Sequence, residues 1–327
     1  MSGGYLPYHL RPNKAIERAV FIEFLSKANR LFPIIESQYI GLGGIHLEDF
    51  RILHSTFGMT DMLSIEENAD IHHRQEFNKP IACIDCKNKS SDSFIAEFER
   101  RARTIAWLDY TSPRQIGSQL REYMALLEKM ENGDILKITL NANAKSLYDP
   151  SSLDKKLSED EVNKLRLEKF RARLAELSPE PIKAEMMNTK KYPGVLVRAL
   201  QQVTDRVFNG SNLLLHPVTS FMYADSENRM LTLTGVVLRR EEVHVYEETC
   251  QLSKWEFYNP NWVLPQIINI PDLTLKERMA IDSLLPSQDD EHLTGKLRQW
   301  FSEGEIPLIK EYVRFYRHFP HYSKIVI

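Results

Sequence analysis

Short apolar runs alternate with amphipathic helical patterns through the first half of this chain, and each run ends on glycine or a polar residue. The five runs, each with the residue that follows it, are 39–42 (Gly43), 62–65 (Glu66), 81–84 (Asp85), 105–108 (Asp109) and 135–140 (Asn141). Runs of this length between helices are typical of buried strands in a parallel sheet. Because such sheets bind ligands at the carboxyl ends of their strands, we expect functional residues at these five ends.

Helical spacing of apolar residues predicts the elements around these strands. An N-terminal helix is predicted over residues 10–30, and further helices near 47–57, 92–102 and 113–131. Later, a capping box at 158–161 opens a highly charged helix that continues to about Leu177. That helix is either a solvated surface element or a cover over the active edge of the sheet, and its charge favours the surface.

The second half begins with another helical pattern, over residues 195–207. Two long β-type runs follow, 213–224 and 230–238, and the turn-like residues between them predict an antiparallel hairpin. From Thr274 the pattern is helical again, with a second capping box and helices near 289–302 and 305–318.

Composition excludes several functional classes. The chain has 327 residues, 43% hydrophobic and 27% charged, with a net charge of −3, so no global field attracts nucleic acid or an anionic membrane. No apolar run approaches the ~18 residues of a membrane span. The N-terminus lacks the pattern of a secretion signal, and three cysteines fit a reducing compartment. We therefore expect a cytoplasmic protein.

The order of elements, five parallel strands followed by a helix and a hairpin, resembles that of the class I, Rossmann-like S-adenosylmethionine-dependent methyltransferases. The resemblance implies an α/β fold with helices on both faces of a mostly parallel sheet and an antiparallel last strand inserted beside its neighbours. It covers 37–143 and 195–240 as a Rossmann-like core. The remainder divides into an N-terminal helical segment (1–36), a charged helical insertion (144–194) and a mostly helical C-terminal extension (241–327).

The glycine turn contains Gly41, Gly43 and Gly44, which match the loop that holds the methionine end of S-adenosylmethionine in that family. Glycines let the backbone approach a ligand closely. The family usually has an acidic residue two positions before the first glycine, where this chain has Tyr39. A nicotinamide-binding motif would need a third glycine where His46 stands. A tight turn without a ligand is the alternative.

Two further strand ends complete the expected cofactor site. Glu66 follows the second strand, 25 residues after Gly41, where a carboxylate can accept hydrogen bonds from both ribose hydroxyls. Its alternative role is to cap the next helix. Asp85 closes the predicted third strand, and the resemblance implies contact with the adenine amine; a surface aspartate is almost as well supported.

Asp109 and Tyr110 end the most apolar central strand and are the candidate catalytic residues. We expect Asp109 to orient the acceptor or take its proton, and Tyr110 to line the pocket. Some O-methyltransferases hold magnesium with such an aspartate and an Asp-Asn pair, but here Asn141 and Asn143 are neutral, so we expect no metal. Cys83 and Cys86 lack a second cysteine pair and are expected to be structural.

These observations favour an S-adenosylmethionine-dependent methyltransferase with an unidentified acceptor. The alternative is a catalytically silent module that binds a protein or nucleic-acid partner, through the charged helix (158–177) or the C-terminal tail. That tail interleaves basic and aromatic residues, a pattern that can bind nucleic acid but that packed amphipathic helices also produce. Packing is the favoured interpretation of the tail.

Overall fold

A single eight-stranded sheet organises the chain in the computed structural model, which describes residues 11–149, 157–225 and 228–320. The strands are β1 (Gln38–Leu42), β2 (Met62–Glu66), β3 (Ile84–Asn88), β4 (Thr104–Asp109), β5 (Ile135–Asn141), β6 (Leu213–Asp225), β7 (Asn228–Arg239) and β8 (Gln266–Ile268). Their order across the sheet is β3-β2-β1-β4-β5-β7-β6-β8. β1 to β5 are parallel to one another, whereas β7 runs antiparallel between β5 and β6.

Helices cover both faces of this sheet. They are α1 (Pro12–Ala28), α2 (Glu48–Phe57), α3 (Ala69–Asn78), α4 (Ser91–Glu97), α5 (Ile116–Leu127), α6 (Glu159–Leu174), α7 (Tyr192–Val207), α8 (Val243–Cys250), α9 (Leu275–Asp282), α10 (Asp290–Leu297) and α11 (Ile306–Phe315). One core layer joins α1, α2 and the C-terminal helices to the sheet, and the other joins α5, α6 and α7 to its opposite face. None of the helices in the described ranges is both long and apolar enough to span a membrane.

The predicted α/β fold and the continuation of the parallel sheet by the hairpin are confirmed. β5 pairs with β7 from Ile135 opposite Val236 to Asn141 opposite Met230, so the hairpin belongs to the same sheet. Both capping boxes are present, at Ser158 and at Thr274.

The predicted third strand was wrong in its bounds. Only Ile84 of the apolar run 81–84 belongs to β3, which continues through Asn88. β3 is an edge strand and, within the described ranges, pairs only with β2. Polar side chains along β3 therefore remain exposed, and the apolar pattern ends early. Asp85 therefore lies within the strand rather than at its carboxyl end.

Three elements gave no sequence signal that we recognised. α3 buries a single residue, Gln75, and so has no apolar stripe. α8 was not predicted, and β8, three residues long, adds a strand to a tail predicted to be mostly helical. β8 pairs in parallel with β6 at the edge of the sheet.

Several aromatic residues of the tail pack inward, as the favoured interpretation predicted, whereas Trp300 is 48% exposed. Tyr312, Phe315 and Phe319 are buried in the core layer that also contains α1. Phe257 stacks on Phe315 with ring centroids 5.3 Å apart. The predicted basic and aromatic residues His321, Tyr322 and Lys324 lie outside the described residues.

Candidate functional site

A cavity of about 1210 Å³ opens at the carboxyl ends of β1, β2 and β4. Of the residues predicted from the sequence, five line it: Gly43, Gly44, Glu66, Asp109 and Tyr110. Gly41 lies inside β1, and neither it nor Asp85 is among the described residues that line the cavity. The cavity wall also contains Arg11 and Lys14, from the start of α1, and residues 89–92 after β3.

The glycine turn is fixed by close packing against β2 and α3. A Cβ atom at Gly43 would lie 2.1 Å from Ser64 Oγ and 2.9 Å from Gln75 Nε2, far inside normal contact. The same Gln75 Nε2 donates a hydrogen bond of 2.6 Å to the carbonyl of Gly43. Since Gln75 is completely buried, this bond holds the turn in one position at the rim of the cavity.

Tyr39, which stands where the methyltransferases have an acidic residue, belongs to the core. It is 1% exposed and packs edge-on against Phe50, with ring centroids 5.0 Å apart. A Cβ at Gly41 would lie 3.1 Å from the Tyr39 hydroxyl oxygen. The buried Tyr39 side chain therefore fills the space beside Gly41. No carboxylate therefore reaches the cavity from position 39.

Glu66 ends β2 beside the cavity, as predicted. Its Oε1 accepts a hydrogen bond of 2.8 Å from the Asn68 amide. Asn68, in turn, caps α3, because its Oδ1 accepts bonds from the amides of Asp70 and Ile71 at 3.0 and 3.1 Å. Glu66 is therefore not the capping residue of this helix. Partial burial raises the pKa of Glu66, as expected for a carboxylate in a cavity wall.

Asp109 ends β4 and is surrounded by cations from α1. Its Oδ2 lies 3.5 Å from Lys14 Nζ and 3.8 Å from Arg18 Nη2. Arg18 also pairs with Asp49 on α2 and lies over the Trp107 ring, 4.7 Å from its centroid. Burial raises the pKa of Asp109, but Lys14 and Arg18 outweigh it and bring the pKa below its usual value. Two neighbouring cations thus make Asp109 a weak proton acceptor, contrary to one of its two expected roles.

Tyr110 directly follows β4 and belongs to the core layer on the opposite face of the sheet from Trp107. Its hydroxyl donates a hydrogen bond of 2.5 Å to Glu122 Oε2 on α5, and Ser91 Oγ donates one of 2.6 Å to the same oxygen. All three residues line the cavity. Burial, followed by the nearby Glu122, raises the pKa of Tyr110 well above its usual value, so the hydroxyl remains protonated.

Asp85 is exposed and forms an ion pair of 2.7 Å with Lys87 on the same edge strand. It does not contribute to the cavity, since β3 extends three residues beyond it. The carboxyl end of this strand instead brings Ser90, Ser91 and Asp92 to the cavity wall.

The residues considered for a metal have other partners. Asn141 Oδ1 accepts a bond from the Asn143 amide, and Asn143 Oδ1 accepts one from the Lys145 amide, both at 3.0 Å. Within the described ranges, no group of three or more His, Cys, Asp or Glu side chains could hold a metal ion. Cys83 and Cys86 are unpaired, and burial raises the pKa of Cys86 to about 11, so its thiol is protonated at neutral pH.

The mostly parallel sheet continued by an antiparallel hairpin is that of a class I, Rossmann-like methyltransferase. Residues 6–327 match the family described as "Putative O-methyltransferase", and the chain belongs to that family. No curated protein matches the chain.

Two solved methyltransferase structures are similar to the chain. One is the N-methyltransferase NodS from Bradyrhizobium japonicum WM9, 10% identical, with 68% of this chain and 97% of that chain covered and a TM-score of 0.39. The other is the plantazolicin methyltransferase BpumL, in complex with a pentazolic desmethylPZN analog and SAH. It is 11% identical, with 68% of this chain and 85% of that chain covered and a TM-score of 0.39.

Sequence reasoning missed the residues that reach the cavity from outside the predicted strand ends. Arg11 and Lys14 precede the apolar stripe of α1, where cations usually face water. Ser91 and Glu122 lie on helices α4 and α5 and meet only through the fold. A polar residue at the first turn of a helix carries no sequence signal for a ligand unless the position of that helix is known.

Proposed function

We propose that this chain is an S-adenosylmethionine-dependent methyltransferase whose donor binds in the cavity at the ends of β1, β2 and β4. The observation that carries this proposal is the pairing of a tightly packed glycine turn with Glu66 at the end of the adjacent strand. A Cβ at Gly43 would disrupt the turn that borders the cavity, and Glu66 offers a carboxylate suited to vicinal ribose hydroxyls. The family description favours an oxygen acceptor.

The donor supplies a methyl group that is already activated by a positively charged sulfur. The task of the chain is therefore to position the reactants and to exclude water, which can supply several kcal/mol of the barrier. We assign Gly43 and Gly44 to the methionine end of the donor and Glu66 to its ribose. Ser91 and Asp92 replace Asp85 as the residues proposed for the adenine side, because they line the cavity and Asp85 does not.

The proposed roles of Asp109 and Tyr110 are positional. Two cations oppose proton uptake by Asp109, and the Tyr110 hydroxyl is engaged with Glu122. Tyr110 shapes the wall of the cavity and Asp109 places a fixed negative charge in it.

The three unpaired cysteines support a reducing compartment, and we propose the cytoplasm.

A second candidate function is a catalytically silent module that binds the donor or a partner without transferring methyl groups. The buried Tyr39 and the ion-paired Asp109 favour it, because neither provides a base beside the donor. Donor binding together with absence of methyl transfer distinguishes this candidate from the enzyme.

Calorimetric titration of the full chain tests the proposal. We expect S-adenosylmethionine and S-adenosylhomocysteine to bind and NAD and ATP not to bind. Glu66→Gln should weaken S-adenosylhomocysteine binding at least tenfold, because hydrogen bonds to a charged carboxylate are among the stronger ones. Asp85→Asn, which alters an exposed carboxylate outside the cavity, is the matched control and should leave the affinity unchanged. Equal binding of ATP, or unchanged affinity in folded Glu66→Gln, would contradict the proposal.

A further inference from the structure

The amino-acid end of S-adenosylmethionine carries both a carboxylate and an ammonium group. A pocket for it therefore needs charges of both signs, because burying either group without a partner is costly. Position 39 provides no carboxylate in this chain, since Tyr39 is buried in the core. Among the charged residues of the cavity wall, Arg11 and Lys14 lie at the start of α1 and Asp109 at the end of β4.

We infer that Asp109 receives the ammonium group of the donor and that Lys14 and Arg11 receive its carboxylate, an inference that rests on the proposed function. All three residues line the same cavity as Gly43 and Gly44. In this arrangement α1, which lies outside the Rossmann-like core (37–143 and 195–240), supplies part of the donor site. Asp109 thus becomes a binding residue rather than a catalytic one.

The two oxygens of Asp109 differ in their surroundings. Oδ2 is near Lys14 and Arg18, whereas Oδ1 is buried and accepts no hydrogen bond from the residues that the structure describes. A buried carboxylate oxygen without a donor is unusual and costly. An ammonium group bound in the cavity would supply three N–H donors.

The cations around Asp109 are held in different ways. Arg18 forms an ion pair with Asp49 and lies against the Trp107 ring, so it remains beside Asp109 whether or not a ligand is bound. Lys14 and Arg11 are closer to the start of α1 and contribute to the cavity wall. The carboxylate of the donor can therefore pair with these two without separating Arg18 from Asp109.

Lys14 is in an environment that an added carboxylate would improve. Its side chain is 9% exposed, and burial lowers its pKa, with Arg18 and Arg11 acting in the same direction. Asp109 and Asp49 oppose this shift but do not reverse it. A second negative charge beside Lys14 would stabilise its ammonium form.

Ligands that carry different parts of this end test the inference by calorimetry, with each ligand compared between wild type and variant. S-Adenosylhomocysteine carries both charged groups, decarboxylated S-adenosylmethionine lacks the carboxylate, and 5′-methylthioadenosine lacks both. Lys14→Met should weaken the binding of S-adenosylhomocysteine at least tenfold and change the affinity for the two truncated ligands by less than threefold. Asp109→Asn should weaken the binding of S-adenosylhomocysteine and of the decarboxylated ligand, but not that of 5′-methylthioadenosine.

Lys27→Met, near the C-terminal end of the same helix and outside the cavity, is the matched control and should bind all three ligands as wild type does. The wild-type chain provides a test that does not depend on any variant folding: it should bind S-adenosylhomocysteine at least tenfold more tightly than 5′-methylthioadenosine. Equal affinity for these two would overturn the inference, as would a variant that weakens all three ligands equally. Failure of wild type to bind any of them would instead overturn the proposed function.

Discussion

Gly43 shows how a single side-chain position determines the shape of the donor cavity. A Cβ atom there would overlap Ser64 Oγ at 2.1 Å, while the next nearest atom, Gln75 Nε2, would lie at 2.9 Å. The obstruction thus comes mainly from one hydroxyl group on β2. Removal of the Ser64 hydroxyl should restore part of the space that a larger residue at position 43 needs.

We predict that Gly43→Ala destabilises the fold by about 1–3 kcal/mol, the usual cost of overpacking, and weakens donor binding. Ser64→Ala introduced into that variant should recover part of both losses. Urea unfolding and calorimetry of the two single variants and the double variant measure the coupling. Gly295→Ala, with no atom near its Cβ, is the control for alanine replacement. If the changes in stability and in donor affinity of the two single variants simply add in the double variant, the packing argument is contradicted.

Among single residues, those at the strand ends could be predicted from the sequence, whereas the cations of the cavity wall, Arg11 and Lys14, could not. Glu66 and the glycine turn follow apolar runs, so their place at the sheet edge follows from the pattern. Lys14 belongs to an amphipathic helix in which most charged residues face water. Only the docking of α1 on the sheet brings Lys14 to within 3.5 Å of Asp109, 95 residues later in the chain.

α1 docks on the sheet through a buried ion pair as well as an apolar stripe. Glu17 pairs with Lys137 in the middle of β5, and both side chains are 1% exposed. The Lys137 ammonium lies 4.2 Å from the centroids of the Phe21 and Trp107 rings. The sequence predicted the stripe but not this pair, because nothing local relates positions 17 and 137.

We predict that Glu17→Gln destabilises the chain by about 3–5 kcal/mol, because it leaves the Lys137 charge buried without its counter-ion. The double variant Glu17→Gln, Lys137→Met should recover most of this loss, since no buried charge remains. Glu303→Gln, which removes one partner of an exposed pair with Arg298, is the control and should change stability little. Urea unfolding at neutral pH measures the stability of each variant. A double variant as unstable as Glu17→Gln would contradict the prediction.

The whole molecule combines a predictable sheet with additions that are specific to this chain. The succession of β1 to β7 along the chain followed from the alternation of runs and helices, whereas β8 and the helices after it enlarge one core layer. His216 of β6 lies in this layer, with Nε2 2.8 Å from the Tyr258 hydroxyl and 3.5 Å from Glu247 Oε1. Burial lowers the pKa of His216, although Glu247 opposes this.

Stability should therefore decrease as the pH falls below the unperturbed histidine pKa of about 6.5. Between that value and the lower pKa of folded His216, the unfolded chain binds a proton that the folded chain does not, so acid favours unfolding. We predict that His216→Gln loses less unfolding free energy than wild type between about pH 7.5 and pH 5.5. Urea unfolding at both pH values gives the difference, and an equal loss in the two proteins would contradict this role of His216.

The central claim is that this cavity binds S-adenosylmethionine and that the chain transfers its methyl group. The most direct measurement is formation of S-adenosylhomocysteine from methyl-labelled donor, with cell extract as the acceptor mixture and a reaction without the chain as background. Wild type should form S-adenosylhomocysteine and labelled product in equal amounts. Glu66→Gln should form much less at a donor concentration below the wild-type Kd. Wild type that binds the donor yet forms no product above background would contradict the claim and establish a silent donor-binding module.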